Sequence, residues 1–155
     1  MMDGVMRAIM PTLAALALAA LALAGCDPGL GTEEDYSVPP SEVGTVQIFS
    51  PEHRLPSSAK NVRIHRRHFQ DTVLFVRFDA PPDDARAFAE RLTGQKLRAG
   101  EGDVSSWGRG LGWWIDRYPE QGKGAVGTIG ANATARVVVH PGTPDATVWI
   151  FASQG

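Results

Sequence analysis

Three groups of residues in this chain have side chains able to react or to recognise a ligand. Cys26 is the only cysteine; a lone thiol cannot close an internal disulfide, so its sulfur must be explained by chemistry with something else. His65 and His68 lie among Arg63, Arg66 and Arg67, in a span from His53 to His68 that holds no acidic residue. Guanidinium and imidazolium groups gathered in this way suit carboxylates or phosphates. Trp113 and Trp114 stand side by side in a glycine-rich stretch, with Trp107 nearby, and exposed indoles stack on sugars or anchor a partner protein. The competing reading of the tryptophans is large core filler, since they bury much area in a domain with few aliphatic residues.

Other patterns lose their meaning when the local structure they need is considered. Gly122-Lys-Gly124-Ala-Val-Gly127 has the spacing of a dinucleotide loop, but such a loop needs a strand before it and a helix after it. Here Tyr118-Pro119-Glu120 precedes and a strand-like run follows, so the segment reads as a flexible glycine-rich turn. His65 and His68 would leave opposite faces of a strand, whose side-chain period is two, and so do not converge on a metal. Asp83-Asp84 and Glu33-Glu34-Asp35 suit a helix start and a solvated tether better than an acid-base pair. Ser57, Ser105, His140 and Asp145 have no spacing that selects a triad. No catalytic residue, cofactor or metal is expected.

The first 25 residues have the layout of an export signal: Arg7, an apolar run from Leu13, then small residues before a processing point. The run is about 13 residues long, short of the roughly 20 needed to span a bilayer. Its end, Leu23-Ala24-Gly25-Cys26, resembles the lipobox of bacterial lipoproteins. That resemblance implies cleavage between Gly25 and Cys26, diacylglyceryl transfer to the Cys26 sulfur and acylation of the new amino terminus. The membrane would then be a partner through lipidated Cys26, because several acyl chains anchor stably where one binds marginally. The location implied is the extracytoplasmic side of a cell membrane, with inner or outer membrane left open. Asp27 resembles the inner-membrane retention signal of enteric bacteria.

The expected organisation is a signal peptide over 1–25, lipidated Cys26 and a flexible tether over 26–44, and one globular domain over 45–155. Removing Asp3 and Arg7 leaves the formal net charge at −2, which together with export argues against nucleic acid as a partner. Residues 27–44 are rich in Gly, Pro, Ser and acid and cannot bury enough apolar surface to offset ordering. From Thr45 the pattern is globular. Asn61–His68 alternates, with Val62 and Ile64 on one face, and Thr72–Phe78 is apolar on both, so the two read as a hairpin with a central second strand. Pro81-Pro82-Asp83-Asp84 supplies the start of a helix whose stripe is Ala85, Phe88, Ala89 and Leu92, ending at Thr93-Gly94. Ala135–His140 and Thr147–Ala152 read as a second hairpin. Trp113–Tyr118 is open between a strand and an aromatic plug. The fold class expected is α+β: an antiparallel sheet of about four strands, from two hairpins, with one helix packed on one face.

With Val62 and Ile64 under the helix, strand parity sends Arg63, His65 and Arg67 to the outer face, and Arg136 and His140 leave the second hairpin on the same side. If both hairpins join one sheet, these five form a cationic surface, the candidate ligand face; Trp113 and Trp114 are the candidate aromatic contact. The alternative is an ordinary solvated strand face. Leu55–Ala152 also resembles a recurrent type of small uncharacterised domain in exported bacterial proteins, a resemblance that carries no activity. The expectation is a membrane-tethered, non-catalytic envelope lipoprotein that binds a partner protein or an anionic envelope component, an inhibitor or immunity-like protein being one form of it. The alternatives are an envelope enzyme acting on glycan or peptidoglycan, with the Trp and Gly-rich segment as its cleft, and a purely structural lipoprotein.

Overall fold

The computed structural model describes residues 31–155, and Gly31–Gly155 form one compact unit. The export signal, Gly25 and Cys26 lie outside the described residues. No helix among the described residues is long and apolar enough to cross a membrane.

The expected hairpins and helix are present. Strands β2 (Lys60–His68) and β3 (Thr72–Ala80) form the first hairpin, β6 (Ala133–His140) and β7 (Ala146–Gln154) the second. Helix α1 runs Pro82–Thr93, with Pro in its first turn, Asp83 and Asp84 at the positive end of its dipole and Gly94 at φ 65° closing it. Ala85, Phe88, Ala89 and Leu92 are buried by the sheet, where Phe88 meets Phe78 edge-on at 5.5 Å. The alternation of β2 and β3 places Val62, Ile64, Leu74, Val76 and Phe78 in this same core.

The sheet has seven strands, not about four, in the order β1-β2-β3-β7-β6-β5-β4, and every recorded pairing is antiparallel. The three strands beyond the hairpins are not among the expected elements. β1 (Thr32–Ser37) lies inside the stretch expected to be a tether; all six of its residues are exposed, so it carries no apolar alternation. It is nonetheless ordered by its ladder with β2, from Thr32 opposite His68 to Ser37 opposite Arg63. A 3-10 turn over Pro40–Thr45 follows and buries Val43. The tether reading therefore does not hold for residues 32–44. β4 is only Arg98–Ala99.

β5 (Lys123–Ile129) takes in most of Gly122–Gly127, so that segment is a strand and not the expected glycine-rich turn. Its glycines are there for clearance rather than for flexibility. A Cβ at Gly124 would run into the carbonyl oxygens of Glu101 and Val137, and one at Gly127 into the carbonyl of Thr93 at the end of α1. Glycine lets the helix end and the following loop lie directly on the strand backbone.

The second face of the sheet is also covered. Phe75, Val138, Trp149 and Phe151 point away from α1 and form a second core with Val104. Leu111, Trp113, Trp114, Ile115 and Tyr118 pack against it from the irregular segment between β4 and β5. Of the two readings of Trp113–Tyr118, the plug is the one observed: the segment contains turns and bends and no strand.

Candidate functional site

The plug-side face is where the expected ligand residues converge, and its layout follows from the register. Arg63 lies opposite Arg77, His65 opposite Phe75 and Arg67 opposite Val73 across β2 and β3. Arg77 is in turn opposite Trp149 of β7, and Trp149 opposite Val138 of β6. Arg136 and His140 leave β6 on this side as well, since Arg136 is opposite Phe151 and His140 opposite Thr147. All five candidate residues thus leave the sheet on this face, as strand parity requires.

They do not form one open cationic surface. The plug occupies the middle: Trp114 meets Phe75 edge-on at 5.3 Å, and Trp107 stacks on Phe151 at 4.4 Å. Arg136 lies over Trp107, 5.8 Å from its ring centre. His140 lines a separate cleft of about 510 Å³ with Trp149, Tyr118 and Ile115. Trp113 and Trp114 are half-buried and meet edge-on at 5.6 Å. They are thus first of all parts of the covering layer.

On the β2 side, acidic residues of β1 answer the basic ones. Glu33 Oε1 lies 2.8 Å from His65 Nε2 and 2.9 Å from Arg67 Nε. His65 is 4% exposed, with its ring edge-on to Phe75 at 5.7 Å. The short contact to Glu33 requires the proton on Nε2. That nitrogen then cannot accept from Arg67 Nε, 3.1 Å away, which donates instead to the shared Glu33 oxygen. His65 Nδ1 is left buried without a partner among the described residues.

The Arg67 hydrogen bond, helped by the charges of Arg67 and His65, holds the Glu33 carboxyl below its ordinary value, against the opposing effect of desolvation. A depressed folded-state pKa stabilises the folded form above the ordinary value of 4.5, and the stabilisation is lost as pH falls through the lower folded value. We therefore expect the β1–β2 ladder to open more readily near pH 3 than near pH 6. Comparing backbone hydrogen exchange of wild type and Glu33→Gln at each pH checks this. The variant should exchange faster only at the higher pH; equal protection of β1 in the two proteins at pH 6 would contradict it.

Further along the same face, Asp35 Oδ1 lies 3.4 Å from Arg63 Nη2, and the Trp113 indole N–H donates to Asp35 Oδ2 at 3.4 Å. The Arg63 guanidinium sits 5.6 Å from the Trp113 ring centre. Arg77 Nη2 pairs with Asp79 Oδ1 at 3.2 Å. Arg63, Arg77 and Trp113 edge a cleft of about 480 Å³ together with Ser37 and Asn61. Arg63 and Arg77 are both partly exposed, at 38% and 27% of their side chains, so a ligand can reach them.

Glu33, Asp35 and Arg77 belong to this site and were not among the expected residues. Arg77 could have been found: it is the one charge in the Thr72–Phe78 run, at the plug-side parity. Glu33 and Asp35 were hidden by the lack of any strand signal in β1. Among the described residues there is no group of three or more metal-ligating side chains. No family model, curated protein or solved structure matches the chain.

Proposed function

We propose that the protein is an exported, lipid-anchored component of the cell envelope that binds a partner protein or an anionic envelope component without transforming it. Leu23-Ala24-Gly25-Cys26 at the end of an apolar run supports the anchor. The observation that carries the binding half is the set of guanidinium groups of Arg63, Arg67 and Arg77 along the plug-side face of β2 and β3, bordered by Trp113. Binding is favoured over proton-transfer chemistry because the imidazole beside these arginines, His65, is buried and committed to Glu33, out of reach of a ligand in the cleft.

The full chain in micelles of an uncharged detergent should be retained on an anionic matrix and not on a neutral one. Retention should fall steeply as salt rises through about 0.1 M, where charges more than about 10 Å apart are screened. Equal retention on the two matrices at every salt concentration would overturn the reading.

A further inference from the structure

We propose that the cleft bordered by Trp113, where Arg63 of β2 meets Arg77 of β3, is a binding site for one compact oxyanion, a carboxylate or a phosphate, carried on a molecule with an apolar or ring-shaped face. The proposal rests on the anion-binding reading above and narrows it to a place and a chemical group.

Arg63 and Arg77 are register partners on one face of an antiparallel ladder, a position in which like charges repel. Among the described residues each has one carboxylate contact, Arg63 to Asp35 at 3.4 Å and Arg77 to Asp79 at 3.2 Å, and each of those contacts uses one nitrogen of a group that offers five N–H donors. Arg63 Nε is buried with no acceptor among the described residues. Asp79 also accepts from Thr147 Oγ1 and Asn61 Nδ2, both at 2.8 Å, so it fixes the Arg77 side chain without saturating it. Asp35 lies on the exposed edge strand and divides its long contacts between Arg63 and the Trp113 indole.

An oxyanion entering here gains charge-assisted hydrogen bonds from two guanidiniums that line the same cleft. The cleft, at about 480 Å³, is in the roughly 300–1,000 Å³ range of small-molecule sites and larger than the anion needs. The indole of Trp113 offers the remaining space an apolar, ring-compatible wall. Ser37 and Asn61 supply polar groups at the rim.

The test follows the side-chain Nε–H signals of Arg63 and Arg77 and the Trp113 indole N–H by NMR, in the full chain in uncharged micelles. The probes are glucuronate, inorganic phosphate and, as the uncharged control, glucose. All three signals should shift saturably with at least one anion, with a dissociation constant on the order of millimolar, and not with glucose. Tighter binding of glucuronate assigns a carboxylated ring as the ligand; tighter phosphate binding assigns a phosphate group. Arg77→Gln should weaken binding by about tenfold, and Arg77→Lys by less, because it keeps the charge and loses the planar fork. If Arg77→Gln does not keep its melting temperature, Arg63→Gln carries the same comparison. Signals that do not respond to either anion, or affinities unchanged by the arginine substitutions, overturn the site. Salt-sensitive matrix retention beside unresponsive Arg63 and Arg77 signals leaves the general anion-binding reading standing; loss of both overturns both.

Discussion

Phe75→Ala and Phe88→Ala are each expected to destabilise the protein by about 3–5 kcal/mol, the usual range for truncating a buried phenylalanine. The two side chains lie on opposite faces of the sheet. Phe88, 1% exposed, sits between α1 and the sheet; Phe75, 2% exposed, lies under the plug and contacts His65, Trp114 and Phe151 edge-on. A loss of this size is a large part of the 5–15 kcal/mol available to a domain. Separated by the sheet and without shared partners, the two effects should add to within about 0.5 kcal/mol. Arg86→Ala, which removes a solvent-exposed contact with Asp83, should stay within about 0.5 kcal/mol of wild type. Denaturant midpoints of the three variants check this. A small effect from Phe75→Ala beside a large one from Phe88→Ala would mean that the plug does not cover its face, leaving a sheet packed on one side only.

Cys26→Ser is expected to abolish stable lipid anchoring. If the sulfur carries a diacylglyceryl group and the new amino terminus a further chain, wild type should pass almost wholly into the detergent-rich phase of a phase separation, since two or more chains anchor stably where one does not. Serine offers no thiol to alkylate, so the variant should appear as an uncleaved or soluble precursor. Intact mass distinguishes the forms: wild type should lack residues 1–25 and carry the added acyl mass. Wild type that remains in the aqueous phase as fully as Cys26→Ser would contradict lipidation.

The elements that could be read from the sequence are those in which one chemical pattern dominated. The helix had an apolar stripe, a proline start and a glycine stop, and each of these signals coincides with an observed feature. The hairpin strands alternated or were apolar throughout, and their parity put Arg63, His65, Arg67, Arg136 and His140 on one face. The remaining elements escaped because their order comes from their neighbours. β1 is an exposed acidic ribbon fixed by its ladder and by the basic face of β2. β5 is glycine-rich because Thr93, Glu101 and Val137 approach its backbone closely. The plug packs side chains from turns, and an irregular segment has no period to detect. The candidate site inherits both outcomes. Its arginines on β2 were visible as an acid-free span, whereas the carboxylates that face them and the indole layer that divides the face depend on long-range contacts no local window contains.

Whether this face binds an anionic component through Arg63 and Arg77 can be measured by calorimetric titration of the full chain in uncharged micelles with a glucuronate polymer. Neutral dextran serves as the control, and wild type is compared with Arg63→Gln/Arg77→Gln. Wild type alone should bind the anionic polymer, more weakly as salt is raised, and should not bind dextran, while the double variant retains a cooperative unfolding transition. Binding of equal strength by wild type and a folded double variant, or no binding by wild type at low salt, would contradict binding through Arg63 and Arg77.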